Sequence, residues 1–185
     1  IYLAKIASSV VGLVDPHAAT YDGIIVTGRR VSAVLGALTV LLLILLGSRL
    51  YDRGVGLLAG LLLAACALHL QNSRFLTVDV PLTFVVLLAL YLLVRVSNEG
   101  RAVLFALAGA AIGLATATKF SAMPLFLPLG VAALHRYFTE RRLLSVAGRC
   151  VLAVAAALLA CGLAEPYALI DSKASFHDVF DQSHM

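Results

Sequence analysis

Long blocks of apolar residues, uninterrupted by charge, constrain this chain more than any other feature. Residues 31–46 contain one Ser and one Thr among Val, Leu, Ala, Ile and Gly, and no ionisable side chain appears before Arg49. A surface helix keeps one polar face and a half-buried strand alternates, so blocks that are apolar all round need a hydrocarbon environment. The composition agrees: 62% of the 185 residues are hydrophobic and 13% are charged, with a mean hydropathy of +1.00. A water-soluble enzyme, a nucleic-acid-binding domain and a disordered tail are thereby excluded. The net charge of +4 does not reverse this, because the 14 Lys and Arg residues stand singly or in pairs between apolar blocks. Such charges set membrane topology. Cys66, Cys150 and Cys161 lie inside apolar blocks without CxxC spacing and read as buried thiols.

Six segments have the character of membrane helices: residues 31–48, 54–70, 80–94, 102–118, 121–134 and 143–163. The fifth is short and contains Pro124 and Pro128, which predicts a kinked or partly spanning element. Small residues are dense in 108–118 and 147–162, which permits close helix approach in lipid. Ahead of the first span, Leu3, Ile6, Val10, Leu13 and Val14 fall on one helical face, the pattern of a helix lying flat at the interface. Turn-forming residues then predict a loop over 15–28. The expected fold class is all-α, a polytopic membrane bundle of about six helices preceded by an amphipathic interfacial helix. Three stretches follow: an interfacial helix and extracytoplasmic loop (1–28), the helix bundle (29–164), and a further extracytoplasmic loop or the start of a missing segment (165–185). The chain opens at Ile1 without a Met or a basic leader and reads as a piece of a longer protein.

Alternating the spans places Arg49, Arg53, Arg95, Arg101, Arg136, Arg141, Arg142 and Arg149 on one side, against six basic residues on the other. The richer side is cytoplasmic by the positive-inside rule. Arg29, Arg30, Arg74 and Lys119 then lie outward, where topology does not require cations. Such a group suits a lipid-linked phosphate, since guanidinium offers a bidentate fork and Lys a point charge. The alternative is that each cation snorkels separately to headgroups. Lys119 interrupts a long apolar stretch; a cation at a helix centre costs about 2.5–3.5 kcal/mol, so it either marks a helix end or faces a polar cavity.

Between the second and third spans, Asp79 reads first as an N-cap with Pro81 in the first helical turn. Its carboxylate could also pair with Arg74 or bind a sugar hydroxyl. His177, Asp181 and His184 would share a helical face, yet the balance of the reading is against a metal site there. His69 reads as an interfacial residue. Phosphate-loop, GxSxG and HExxH patterns are absent from the sequence.

Three motifs occur in order between the hydrophobic spans. They are Gly28-Arg29-Arg30-Val31-Ser32-Ala33-Val34-Leu35-Gly36, then Ser73-Arg74-Phe75 with Asp79-Val80-Pro81-Leu82, then Gly113-Leu114-Ala115-Thr116-Ala117-Thr118-Lys119-Phe120-Ser121. The set resembles the GT-C glycosyltransferases, and within them the family-39 group of protein O-mannosyltransferases and lipid A aminoarabinose transferases. That resemblance implies an integral-membrane enzyme of the cell envelope, multi-pass in the cell membrane with its active face extracytoplasmic. It would move a sugar from a polyprenyl-phosphate carrier to an acceptor lipid, glycan or protein, usually with inversion. It also implies donor phosphate binding by Arg74 and Lys119, and loop or sugar positioning by Arg30 and Asp79. The family's catalytic acid would fall upstream of Ile1. No cofactor is implied, and use of a divalent metal is left open; expected partners are the polyprenyl-phosphate-linked sugar, its acceptor and membrane lipids, with no nucleic acid. A transporter or flippase subunit is the alternative, although such proteins tend to show internal repeats and polar mid-membrane helices, and neither stands out here.

Overall fold

A computed structural model describes residues 21–164 apart from Leu76, with Tyr21 and Asp22 described by their backbone only. The expected interfacial helix at residues 1–14, the 165–185 stretch and the His177, Asp181, His184 trio lie outside the described residues. Among the described residues seven α-helices follow one another: α1 (Tyr21–Leu50), α2 (Arg53–Ala65), α3 (Ala67–Arg74), α4 (Asp79–Glu99), α5 (Ala102–Thr118), α6 (Phe126–Glu140) and α7 (Leu143–Ala164). A 3-10 helix, Phe120–Leu125, links α5 to α6, and no strand occurs among the described residues. The architecture is that of an all-α membrane protein.

By length and composition, α1 from Gly23, α4 and α7 can each cross a bilayer, and α2 with α3 would make a fourth crossing as one bent span. α5 is apolar but shorter, at 17 residues. The outward surface of these helices suits lipid as their solvent. Leu61 and Leu62 on α2 are 66% and 64% exposed, and Leu144 and Leu163 on α7 are 89% and 83% exposed. Soluble monomers do not turn whole apolar faces outward in this way.

Three features differ from the sequence reading or refine it. The loop expected over 15–28 is helical from Tyr21 onward. Thr27 and Gly28 are buried, and burial of one helix face overrides the weak helix propensity of Gly and Thr. Arg29 and Arg30 consequently sit more than two turns inside α1. From Arg30 to Arg49 the helix rises about 28 Å, close to the ~30 Å thickness of a hydrocarbon core, so both ends of the apolar stretch carry arginine.

The second segment, expected to run unbroken from 54 to 70, bends by 61° between α2 and α3. Cys66 at the break has φ −69° and ψ 115°; its N–H donates to Leu63 O at 3.1 Å, and its carbonyl accepts from Leu70 N at 3.0 Å. No proline is involved. The bend lays α3 against α1, where His69 and Ser73 find partners. α2 itself starts at an N-cap, with Asp52 Oδ1 accepting from Val55 N at 2.8 Å.

The proline-bearing fifth segment opens, as its prolines suggest, in 3-10 geometry with Pro124 inside it. Pro128 falls in the first turn of α6, where its missing N–H is tolerated. Asp79 is the first residue of α4 and not its flanking cap, with Pro81 in the same turn. A boundary shift of one residue separates the two descriptions.

The described chain forms two compact units, the first ending at Leu87 and the second starting at Leu88, inside α4. In the first unit α1 packs on α2 and α3. Gly47 of α1 faces Gly56 of α2 so closely that a Cβ on Gly47 would lie 2.9 Å from the Gly56 Cα. In the second unit α5 packs on α7. Gly109 and Gly113 meet the backbones of Ala153 and Ala157, four residues apart on each helix. This is the small-residue seam by which helices associate in lipid, where burying apolar surface supplies little drive.

Candidate functional site

In the first unit the site is built on the contact between α1 and α3. Gly36 has no Cβ, and Ser73 of α3 occupies the space one would fill. Ser73 Oγ donates to His69 O at 2.8 Å, one turn back, and His69 Nε2 donates to Gly36 O at 3.2 Å. His69 is thus a half-buried link between two helices, not a simple interfacial residue. The seat fixes the end of α3, where Arg74 closes the last turn and Phe75 leaves the helix in an extended conformation. The Arg29 guanidinium carbon lies 5.7 Å from the centre of the Phe75 ring, a cation–π distance.

Three of the four sequence-derived site residues, Arg30, Arg74 and Asp79, belong to this unit, and each is exposed. Asp79 opens α4, where a carboxylate complements the helix dipole, and Thr83 Oγ1 donates to its carbonyl at 2.7 Å. Thr77, between Arg74 and Asp79, has a buried hydroxyl oxygen without a hydrogen-bond partner among the described residues. A buried hydroxyl without a partner is uncommon, and this one falls in the chain between Arg74 and Asp79.

Lys119 belongs to the second unit. It terminates α5 and precedes the 3-10 helix, in an extended conformation of φ −157° and ψ 123°. Its N–H donates to Ala115 O at 3.0 Å and its carbonyl accepts from Ala122 N at 2.9 Å. Of the two readings of this lysine, the helix end holds: the side chain is exposed and escapes the cost of mid-helix burial.

The other end of α5 has different electrostatics. Arg95 donates to both carboxylate oxygens of Glu99, at 2.8 and 3.1 Å, and Arg101 reaches Glu99 at 3.5 Å. Glu140 accepts from Arg136 one turn back and from Arg149 of α7 at 2.8 Å, while Arg149 also donates to Ser145 Oγ at 3.0 Å. The Arg149 hydrogen bond, and after it the Arg136 one, holds the Glu140 carboxyl below its ordinary range. These arginines were legible as a topology signal. Their pairing also had a signal, the i,i+4 spacing of Arg95 with Glu99 and of Arg136 with Glu140. Arg29 is the residue that the resemblance passed over in favour of Arg30, and no local sequence pattern announces its position over Phe75.

The resulting arrangement can do limited, specific chemistry. In the first unit Arg74, a cation at a helix end, can bind an anionic oxygen, and the Asp79 carboxylate can accept from hydroxyl groups. Among the described residues no group of His, Cys, Asp and Glu is arranged to hold a metal ion. A family model described as dolichyl-phosphate-mannose-protein mannosyltransferase matches residues 24–164. Neither a curated protein nor a solved structure matches the chain.

Proposed function

The chain belongs to the dolichyl-phosphate-mannose-protein mannosyltransferase family of membrane glycosyltransferases, and from that premise we propose that it transfers a sugar from a polyprenyl-phosphate donor at the extracytoplasmic face of a multi-pass membrane enzyme. The acceptor is a lipid, glycan or protein presented at that face. The excess of Lys and Arg on the opposite loops supports this orientation.

Transfer breaks the bond between the sugar's anomeric carbon and the carrier phosphate oxygen, so negative charge grows on the phosphate as it leaves. Arg74 and Lys119 each offer a cation at a helix end, and an interaction that strengthens as the charge develops lowers the barrier. Arg30 and Asp79 position the loop or the sugar. What supports this reading best is the end of α3, where Arg29, the chain neighbour of Arg30, lies over Phe75, the residue that follows Arg74. The unpartnered Thr77 hydroxyl provides a further polar contact to a bound donor.

The test uses the full-length protein and a polyprenyl-phosphate-linked sugar. Arg74→Ala and Lys119→Ala should each lower kcat/KM by about a hundredfold or more, the loss typical of removing one transition-state charge contact. Arg74→Lys should recover part of the loss, because it restores the charge without the fork. Unaltered transfer by either alanine variant would sink its assignment.

A further inference from the structure

The α4–α5 and α6–α7 turns lie at one end of the second unit and gather charge of one sign. Residues 95–101 and 136–149 contain six arginines and two glutamates. Contacts hold the turns together: Arg136 donates to Asn98 O at 3.5 Å, and its guanidinium lies against Gly100, which occupies the left-handed region at φ 65°. Glu140 links α6 to Arg149 of α7. The two carboxylates serve Arg95, Arg136 and Arg149, whose side chains are between 13% and 31% exposed.

What remains is unbalanced. Arg101 approaches Glu99 only at 3.5 Å and keeps 73% of its side chain exposed. Arg141, in the left-handed region at φ 55°, and Arg142 are both exposed, and no acidic side chain pairs with either among the described residues. Three exposed guanidiniums thus border a tied, overall positive cluster at the ends of α4 and α7, two helices long and apolar enough to cross the bilayer. Where these two helices cross a bilayer, that position falls at the height of the lipid headgroups. Guanidinium matches the bidentate geometry of a phosphate, and basic clusters at helix ends recognise anionic headgroups.

We propose that this end of the second unit binds the phosphate of an anionic phospholipid through Arg101, Arg141 and Arg142. The inference requires that α4 and α7 span the membrane and is independent of the donor assignment. Bound lipid would bridge the α4–α5 and α6–α7 turns and hold the unit at a fixed depth.

The test is native mass spectrometry of the full-length protein released from vesicles of phosphatidylcholine with about one third phosphatidylglycerol. The expected result is retention of phosphatidylglycerol in preference to phosphatidylcholine. Arg141→Gln and Arg142→Gln should each lower that retention about fivefold, the factor one basic residue near an anionic surface contributes. Arg53→Gln, an exposed arginine in the first unit, should leave it unchanged. Equal retention of both lipids, full retention by the variants, or an equal loss in Arg53→Gln would each overturn the proposal. Displacement of the lipid by inorganic phosphate, at a concentration where sodium chloride of equal ionic strength has no effect, would show a free-phosphate site instead and overturn it too. Should either variant fail to fold, Arg101→Gln, altering a side chain already 73% exposed, carries the same test. Sugar transfer is not read in this experiment, so its outcome stands apart from that of the donor assay.

Discussion

Replacing Gly113 by alanine should destabilise the second unit, although alanine is the better helix former. A Cβ on Gly113 would stand 2.8 Å from both the Cα and the carbonyl carbon of Ala157, and closer still to its carbonyl oxygen. Carbon atoms pack at about 3.5–4.0 Å, so α5 and α7 must part by roughly an ångström along a backbone seam that no rotamer change can relieve. A gap of that size forfeits about a quarter to a half of the dispersion energy of the facing atoms, and overpacking of this kind costs about 1–3 kcal/mol. The helix-propensity gain of about 0.8–1.0 kcal/mol offsets part of it. The expected net loss is therefore about 1 kcal/mol, with an upper range near 2. Gly148, in the same helix as Ala157, is the internal reference, because a Cβ there meets nothing within 4 Å. Gly148→Ala should be neutral or stabilising by up to about 1 kcal/mol. Thermal unfolding of the two variants in one detergent, followed by helical circular dichroism, reads the difference. A Gly113→Ala protein as stable as Gly148→Ala would refute the close seam.

Two further outcomes follow from the charged end of the second unit. Gly100→Ala should lower stability by more than about 1 kcal/mol, since alanine at a φ of 65° is strained and its methyl group would collide with the Arg136 guanidinium; an unchanged unfolding temperature would contradict this. Glu140 has a native pKa below its unfolded value, so its stabilisation is full above the ordinary carboxylate range and is lost as the pH falls through the lowered native value. Glu140→Gln should lower stability at neutral pH and flatten the acid side of the stability curve; a curve parallel to that of the unaltered protein would show that Glu140 carries no such linkage.

Much of the fold was legible because the bilayer makes apolarity a direct signal. All six apolar segments are helical, and the Gly and Ala density in 108–118 and 147–162 reappears as the seam of Gly109 and Gly113 on Ala153 and Ala157. Pro124 likewise announced the irregular start of the fifth segment. The bend at Cys66 was not legible, because it has no proline and the contacts that accompany it are distant in sequence: His69 and Ser73 seat on Gly36, more than thirty residues away. The helical start at Tyr21 was hidden for a related reason, since Gly and Thr signal turns unless a partner buries them. In the site, residue types and helix ends could be read for Arg74, Asp79 and Lys119. The placement of Arg29 over Phe75 could not, because cation–π contact between residues far apart in the chain leaves no spacing pattern.

The donor class is the centre of the functional account, and competition between donors tests it most directly. Full-length protein in vesicles is given the same labelled sugar on a polyprenyl phosphate or on a nucleoside diphosphate, and covalent transfer to the acceptor fraction is measured. The account predicts transfer from the polyprenyl-phosphate donor, with release of polyprenyl phosphate, and none from the nucleotide. Transfer from the nucleotide donor alone, or movement of the lipid-linked sugar across the bilayer without any covalent transfer, would contradict it.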